Sequence, residues 1–292
     1  MALTKSHGYD LVSQKSPRSW TAAELHKPLF LTNPDVSVRG LNRMTAIVTG
    51  GGGAIGRAIC RRFADEGVVV GVFDMNGTSA AETVELIHRG GGQAHSFVAD
   101  IADYEAVKQG AAAFERVAGP TEILVNNAGW DRFANFLDSD VELWDRLIAV
   151  NFRGPLNLHH IVVRGMAERR RGKVINIASD AGRVGSSGEA VYAGCKGGLI
   201  AFTKSLAREL ASRGVNLNVV CPGPTDTPLF RDFAGEGEAG QKVAAALERA
   251  IPMKRLGRPE DLPGLVAFLS SEDASFITGQ VISVSGGLTM HG

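Results

Sequence analysis

From Met44 onward the chain repeats one pattern, an apolar run of strand length followed by a longer amphipathic stretch. The runs are Thr45–Thr49, Val68–Phe73, Ala94–Ala99, Ile123–Asn126, Lys173–Ile177, Asn216–Val220 and Val281–Val284. Crossovers between parallel strands need helix-sized connections. The alternation therefore predicts an α/β fold, a doubly wound, seven-stranded parallel sheet flanked by helices on both faces. A chain of 292 residues can bury one substantial core, so residues 44–292 read as a single domain. Residues 1–43 are polar, carry Pro17, Pro28 and Pro34 and show no sustained period, which reads as an N-terminal arm.

Charge narrows the function. Lys and Arg total 31, as do Asp and Glu, so no net field draws the protein to nucleic acid or an anionic membrane, and a small-molecule partner is expected. Cys60, Cys195 and Cys221 have neither metal-ligand spacing nor the even count of a disulfide framework, which points to no metal and a reducing, cytoplasmic compartment. The sequence offers no bilayer-length apolar run and no signal-peptide pattern.

The segment Thr49-Gly50-Gly51-Gly52-Gly53-Ala54-Ile55-Gly56 follows the first strand and opens a helix at about Arg57. Glycines let the backbone approach phosphates, and helix N-terminal amides favour their negative charge. Asp74 ends the second strand, where a carboxylate can accept hydrogen bonds from both adenosine ribose hydroxyls and would repel a 2'-phosphate. That predicts NAD, with Arg57 as a surface position in the first helical turn.

Tyr192 and Lys196 stand at i and i+4 in a helical stretch over 189–210, so both leave one face. An ammonium about 4 Å from a phenolate stabilises it by roughly 4 kcal/mol at an effective dielectric of 20, enough to bring a phenol from near 10 to near 7. Ser179, just past the fifth strand, can hold a carbonyl or alkoxide oxygen, and Asn151 lies in a helical stretch after the fourth.

Together with Asn126-Asn127-Ala128-Gly129 and Pro222-Gly223, these motifs resemble the short-chain dehydrogenase/reductase family over essentially all of residues 44–292. The resemblance implies a Rossmann fold, a secondary alcohol or ketone substrate and a homotetramer. It assigns Tyr192 as acid/base, Ser179 as the residue orienting the reacting oxygen, Lys196 as the one that lowers the tyrosine pKa and binds ribose, and Asn151 as holder of a relay water. It implies cofactor contacts at Gly50, Gly53, Ile55 and Gly56 in the turn and at Asp100 and Ile101 beside adenine. Further contacts fall at Asn127, Ala128 and Gly129, and at Pro222, Gly223, Thr225 and Thr227 toward the carboxamide. Ala54 departs from the family's second glycine, Ser285-Gly286-Gly287 stands where many members have Asp-Gly-Gly, and the arm is longer than usual.

Specificity is expected after Gly129, after Ser179 and in a helical lid over 228–251. Trp130 reads either as the floor of an apolar pocket or as a packing residue. Several stretches, among them Gly129-Trp130-Asp131 and Ala178-Ser179-Asp180-Ala181, resemble the branch that oxidises 2-hydroxycycloalkanecarboxyl-CoA thioesters in alicyclic and aromatic acid degradation. For such a substrate Arg231, Lys254 and Arg255 are candidate phosphate partners. His159 and His160 read as packing or surface residues. The same residues leave open an NADPH-linked 3-oxoacyl-thioester reductase, another cyclic alcohol dehydrogenase, or a silent NAD-binding protein, although silent members typically lose the tyrosine or lysine, and both are present.

Overall fold

The computed structural model of the protein describes residues 38–235 and 237–290. Most of the expected arm lies outside the described residues. The folded chain begins before Met44, because Leu41 is buried in the core and the Val38 amide donates to Glu66 Oε2 at 2.9 Å. An isolated apolar residue in a polar stretch carries no period, which is why the boundary read from sequence falls late.

Seven parallel strands form one sheet in the order β3-β2-β1-β4-β5-β6-β7. They are β1 (Thr45–Thr49), β2 (Val69–Asp74), β3 (Gln93–Val98), β4 (Ile123–Asn126), β5 (Gly172–Ile177), β6 (Val215–Pro222) and β7 (Val281–Val284). The helices, in chain order, are α1 (Ala54–Asp65), α2 (Gly77–Arg89), α3 (Tyr104–Ala118), α4 (Val141–Ile148), α5 (Gly154–Arg169), α6 (Ala181–Val184), α7 (Ala190–Leu210), α8 (Pro228–Ala234), α9 (Gly237–Ala250) and α10 (Pro263–Ser270). Strand β1 is buried along its whole length. Its Ala46 and Val48 pack with Ile59 and Phe63 of α1 and Val266 of α10. Its Ile47 packs with Phe114 of α3 and Leu158 and Met166 of α5. A strand covered on both faces reads as a continuous apolar run, which is the pattern this segment shows.

Capping side chains start several of these helices. Asn76 accepts from the Ser79 amide ahead of α2, Asp103 from those of Glu105 and Ala106 ahead of α3, and Asp140 from that of Leu143 ahead of α4. Helix α1 begins three residues earlier than expected, at Ala54. Its N-cap is Gly53, with no side-chain cap, and no acid stands in its first turn. The amides of that turn are left for something else.

A buried polar network fixes α5 and α7 to the sheet. Asn126 Nδ2 of β4 donates to Asn176 Oδ1 of β5 at 2.8 Å, and Asn176 Nδ2 reaches Thr203 Oγ1 of α7 at 2.8 Å. His159 of α5 completes it, with Nδ1 2.6 Å from the Pro155 carbonyl and Nε2 3.2 Å from Asn176 Nδ2. Donation by Nδ1 and acceptance by Nε2 require the neutral ring. His160 hydrogen-bonds the Tyr104 hydroxyl at 2.8 Å. Both histidines are thus structural, as the sequence suggested.

Burial holds the His159 imidazole down to about 4, whereas the unfolded chain titrates near 6.5. Its contribution to stability is complete above about pH 6.5 and is lost as pH falls toward 4, on the order of 3 kcal/mol in all. Denaturant unfolding at pH 7 and 4.5 should show the wild type losing about 2 to 3 kcal/mol more than His159→Gln. Equal losses would place the acid sensitivity elsewhere.

Candidate active site

The Gly-rich turn runs from the carboxyl end of β1 into α1. Gly50 takes a left-handed φ of 62°, and a Cβ on Gly56 would collide with the Gly50 carbonyl oxygen. Both positions therefore require glycine. Ala54 costs nothing here, since it is the first residue of α1 and half-exposed. Asn127 Nδ2 pins the turn by donating to the Thr49 and Gly50 carbonyls at 2.9 and 3.2 Å. Asp74 Oδ2 accepts from the Gly52 amide at 3.0 Å and Oδ1 from that of Asn76 at 2.9 Å, which holds the carboxylate beside the turn. These open amides and the glycine cradle fit a dinucleotide pyrophosphate.

Arg57 is not the solvated surface residue that its sequence position suggested. Its guanidinium bonds Thr83 Oγ1 and the Gly52 carbonyl and pairs with Glu82 at 3.0 Å, bracing the turn against α2. The Ile101 side chain packs in the core over Gly154. Asp100 is exposed and accepts from the Ala102 amide.

Beyond the turn lies a cavity of about 900 Å³ lined by Ser179, Tyr192, Lys196, Gly129, Pro222, Gly223, Thr225 and Thr227. Asn127 and Ile55 reach it from the nucleotide side. The remaining predicted cofactor residues lie outside it, with Asp74 at the end of β2 and Asp100 following β3. Thr227 Oγ1 accepts from the Phe230 amide and so caps α8, while Thr225 Oγ1 donates to the Gly223 carbonyl at 2.9 Å. Trp130, Phe133, Val184, Leu229 and Leu247 give the lining its apolar character. The segment expected as a lid thus contributes from α8 and α9. Trp130 serves both roles considered for it. It lines the cavity, and Arg146 of α4 lies 3.9 Å over its ring.

Ser179 and Tyr192 line the cavity together, and the Ser179 hydroxyl acts to lower the Tyr192 phenol. Lys196 is buried, with Nζ 3.0 Å from the Ile177 carbonyl and 5.6 Å from the centre of the Tyr192 ring. Burial lowers its ammonium to about 8. Asn151 sits in a π-helical turn over Ala149–Arg153. Its Oδ1 accepts from the Trp130 amide at 3.2 Å, and its Nδ2 donates to the Trp130 and Leu147 carbonyls at 2.6 and 3.0 Å. The side chain is therefore a clamp on the Trp130 backbone.

The expected depression of Tyr192 is corrected by its surroundings. Burial raises the phenol above its ordinary value, and the Asp131 carboxylate pushes the same way. The Ser179 hydrogen bond opposes them, and Glu189 adds to the rise. Sequence spacing placed Lys196 on the right face but carried no information on desolvation. Asp131 and Glu189 belong to no catalytic or cofactor motif of the sequence. They lie far apart in sequence, and only the fold brings them to one cavity. The three candidate phosphate partners are engaged at the surface. Arg231 pairs with Asp226 at 3.0 Å, Arg255 bonds both oxygens of Asp261, and Lys254 donates to the Arg249 carbonyl.

Known proteins share this sequence and fold. The family model described as enoyl-(acyl carrier protein) reductase matches residues 52–289. A (3R)-3-hydroxyacyl-CoA dehydrogenase of Rattus norvegicus is 38% identical over 262 residues, covering 86% of this chain and 98% of the relative. A 3-oxoacyl-[acyl-carrier-protein] reductase of Thermotoga maritima is 33% identical over 250 residues, covering 86% and 99%. A solved structure from Sinorhizobium meliloti 1021, described as a short-chain alcohol dehydrogenase, superposes with a TM-score of 0.80 at 31% identity over 85% of this chain and 96% of that one. With this fold, this site and these relatives, the chain belongs to the short-chain dehydrogenase/reductase family of oxidoreductases.

Proposed function

We propose that the protein oxidises the secondary alcohol of a hydroxyacyl thioester to the ketone with NAD, and that the hydroxyl stands on a ring, as in a 2-hydroxycycloalkanecarboxyl-CoA. The observation that carries this reading is the convergence of Ser179, Tyr192 and Lys196 on one end of a large cavity with aromatic and aliphatic walls. The ring reading rests further on the Trp130-Asp131 and Ser179-Asp180 stretches, whose side chains reach that cavity. Recognition falls on the cavity and not on a preset phosphate clamp, since Arg231 and Arg255 are already paired.

Ser179 holds the reacting oxygen by a hydroxyl hydrogen bond, and Tyr192 takes the alcohol proton in oxidation or returns it in reduction. When bound, the oxidised nicotinamide supplies the hydride-accepting carbon and a positive charge. Lys196 provides a fixed cation within the same lining, oriented by the Ile177 carbonyl. The choice of NAD is supported by Asp74 at the turn and by Glu82, which neutralises the nearest guanidinium, that of Arg57. The buried free thiols Cys60, Cys195 and Cys221 suit a reducing, cytoplasmic setting.

Initial rates of NAD reduction with 2-hydroxycyclohexanecarboxyl-CoA, a linear 3-hydroxyacyl-CoA and simple cyclic alcohols, each repeated with NADP, test the substrate. Preference for the cyclic thioester with NAD is expected. Preference for the linear thioester with NADP would favour a 3-oxoacyl reductase. Tyr192→Phe should lower kcat by about 10²- to 10⁴-fold while leaving NAD affinity, read by calorimetry, within a fewfold of wild type. Near-normal turnover would remove Tyr192 from the chemistry. A homotetramer is also proposed, supported by exposed Ile148 on α4 and exposed Phe276 ahead of β7. Sedimentation should give the mass of four chains, and a monomer would sink this part of the reading.

A further inference from the structure

Three carboxyl groups line the cavity beside Ser179, Tyr192 and Lys196 without a place in the proton transfer. They come from separate segments. Asp131 follows Trp130 beyond β4, Asp180 follows Ser179 beyond β5, and Glu189 immediately precedes α7.

Their internal bonds fix them and still leave acceptor capacity. Asp180 is only 5% exposed; its Oδ1 accepts from the Ser283 hydroxyl, which itself accepts from Arg183 at 2.7 Å. Its Oδ2 is buried with no protein hydrogen-bond partner, and so is Asp131 Oδ1. Asp131 and Glu189 are close enough for Glu189 to raise the Asp131 carboxyl, and Glu189 takes the Ser186 hydroxyl. The Ala134 amide donates to the Gly188 carbonyl at 2.9 Å, which locks the two loops together.

Carboxyl oxygens left buried without donors are costly, and a fold retains them where something else supplies the partner. Acidic groups outnumber basic ones in the lining, with Asp131, Asp180, Glu189 and Asp232 against Arg132 and Lys196. Arg132 is exposed, and Lys196 is held by the Ile177 carbonyl. Burial and Glu189 draw the Asp131 carboxyl well above the ordinary carboxylate range, as expected of two carboxyls crowded together.

We propose that Asp131, Asp180 and Glu189 make the catalytic end of the cavity a charge filter, which admits a hydroxyacyl substrate whose carboxyl is masked as a neutral thioester, ester or amide and rejects the free hydroxy acid. The inference rests on the hydroxyacyl reading above and identifies the residues that make masking necessary. A third carboxylate brought within about 6 Å of one fixed negative charge, at an effective dielectric of 20, is disfavoured on the order of 100-fold.

The test uses the full chain with NAD and matched series of free acid, methyl ester and N-acetylcysteamine thioester, one series built on 2-hydroxycyclohexanecarboxylic acid and one on 3-hydroxybutyric acid. Wild type, Asp131→Asn, Glu189→Gln and the double variant are compared by the ratio of kcat/KM for neutral and anionic members, in which a general loss of activity cancels. Wild type should favour the neutral members about 100-fold, and the double variant should narrow that ratio at least tenfold through a lower KM for the acid. As a measurement that needs no variant, cyclohexanecarboxamide should inhibit wild type far more strongly than cyclohexanecarboxylate. Equal use of acid and ester, equal inhibition by the two analogues, or a ratio unmoved by the substitutions would overturn the filter. If only the linear series reacts and prefers its neutral members, the filter stands and the ring reading fails alone. If no neutral hydroxyacyl compound reacts, both fail.

Discussion

The site depends on a knot of hydrogen bonds where β1 and β4 end side by side. Thr49 Oγ1 accepts from the amides of Asn127 and Ala128, each at 3.1 Å, while Asn127 Nδ2 donates back to the Thr49 and Gly50 carbonyls. These two strands mark the point where the sheet reverses its winding, and in a doubly wound fold the crevice at such a point is where ligands bind. The knot sets the base of that crevice. It fixes the glycine turn on one side and starts the Gly129-Trp130-Asp131 segment on the other, so the nucleotide and substrate halves of the site are held in register by the same two side chains.

The protein alone holds Tyr192 in the protonated form, which suits donation to a carbonyl oxygen better than removal of an alcohol proton. A positive charge beside the phenol is needed to reverse that preference. Lys196 Nζ lies 5.6 Å from the centre of the Tyr192 ring, and burial lowers its ammonium to about 8. At the phenol, desolvation and the Asp131 and Glu189 carboxylates together outweigh the Ser179 hydroxyl. The carboxylates that raise the phenol also line the cavity, so a charge brought into the cavity acts on Tyr192 as well.

Most of the fold was legible because its signals are local. Strands β1, β4 and β7 have the bounds that their apolar runs suggest, and the i, i+4 placement of Tyr192 and Lys196 needed only a helix. The features that escaped depend on burial or on partners distant in sequence. Arg57 has the spacing of a surface residue, yet it finds Thr83 and Glu82 on α2. Asn151 belongs to a helical stretch by pattern, but the turn there is π-helical and its amide is committed to Trp130. Asp131 and Glu189 carry no motif of their own, and their pairing exists only after β4 and α7 are in place.

Gly129 shows how tightly these parts are coupled. A Cβ at this position would stand 3.2 Å from Asn151 Oδ1 and 3.4 Å from Lys196 Nζ, close enough that the first neighbour would have to give way. The glycine therefore lets the clamp on Trp130 and the buried ammonium approach from two different helical segments. Asn151 holds the Trp130 backbone, Arg146 stacks on its ring, and Asp131 is the next residue in the chain. Through this short run, the position of Lys196 is tied to the position of the Asp131 carboxyl. Residues in direct contact do not act independently, so a change at either end of Gly129-Trp130-Asp131 is felt at the other.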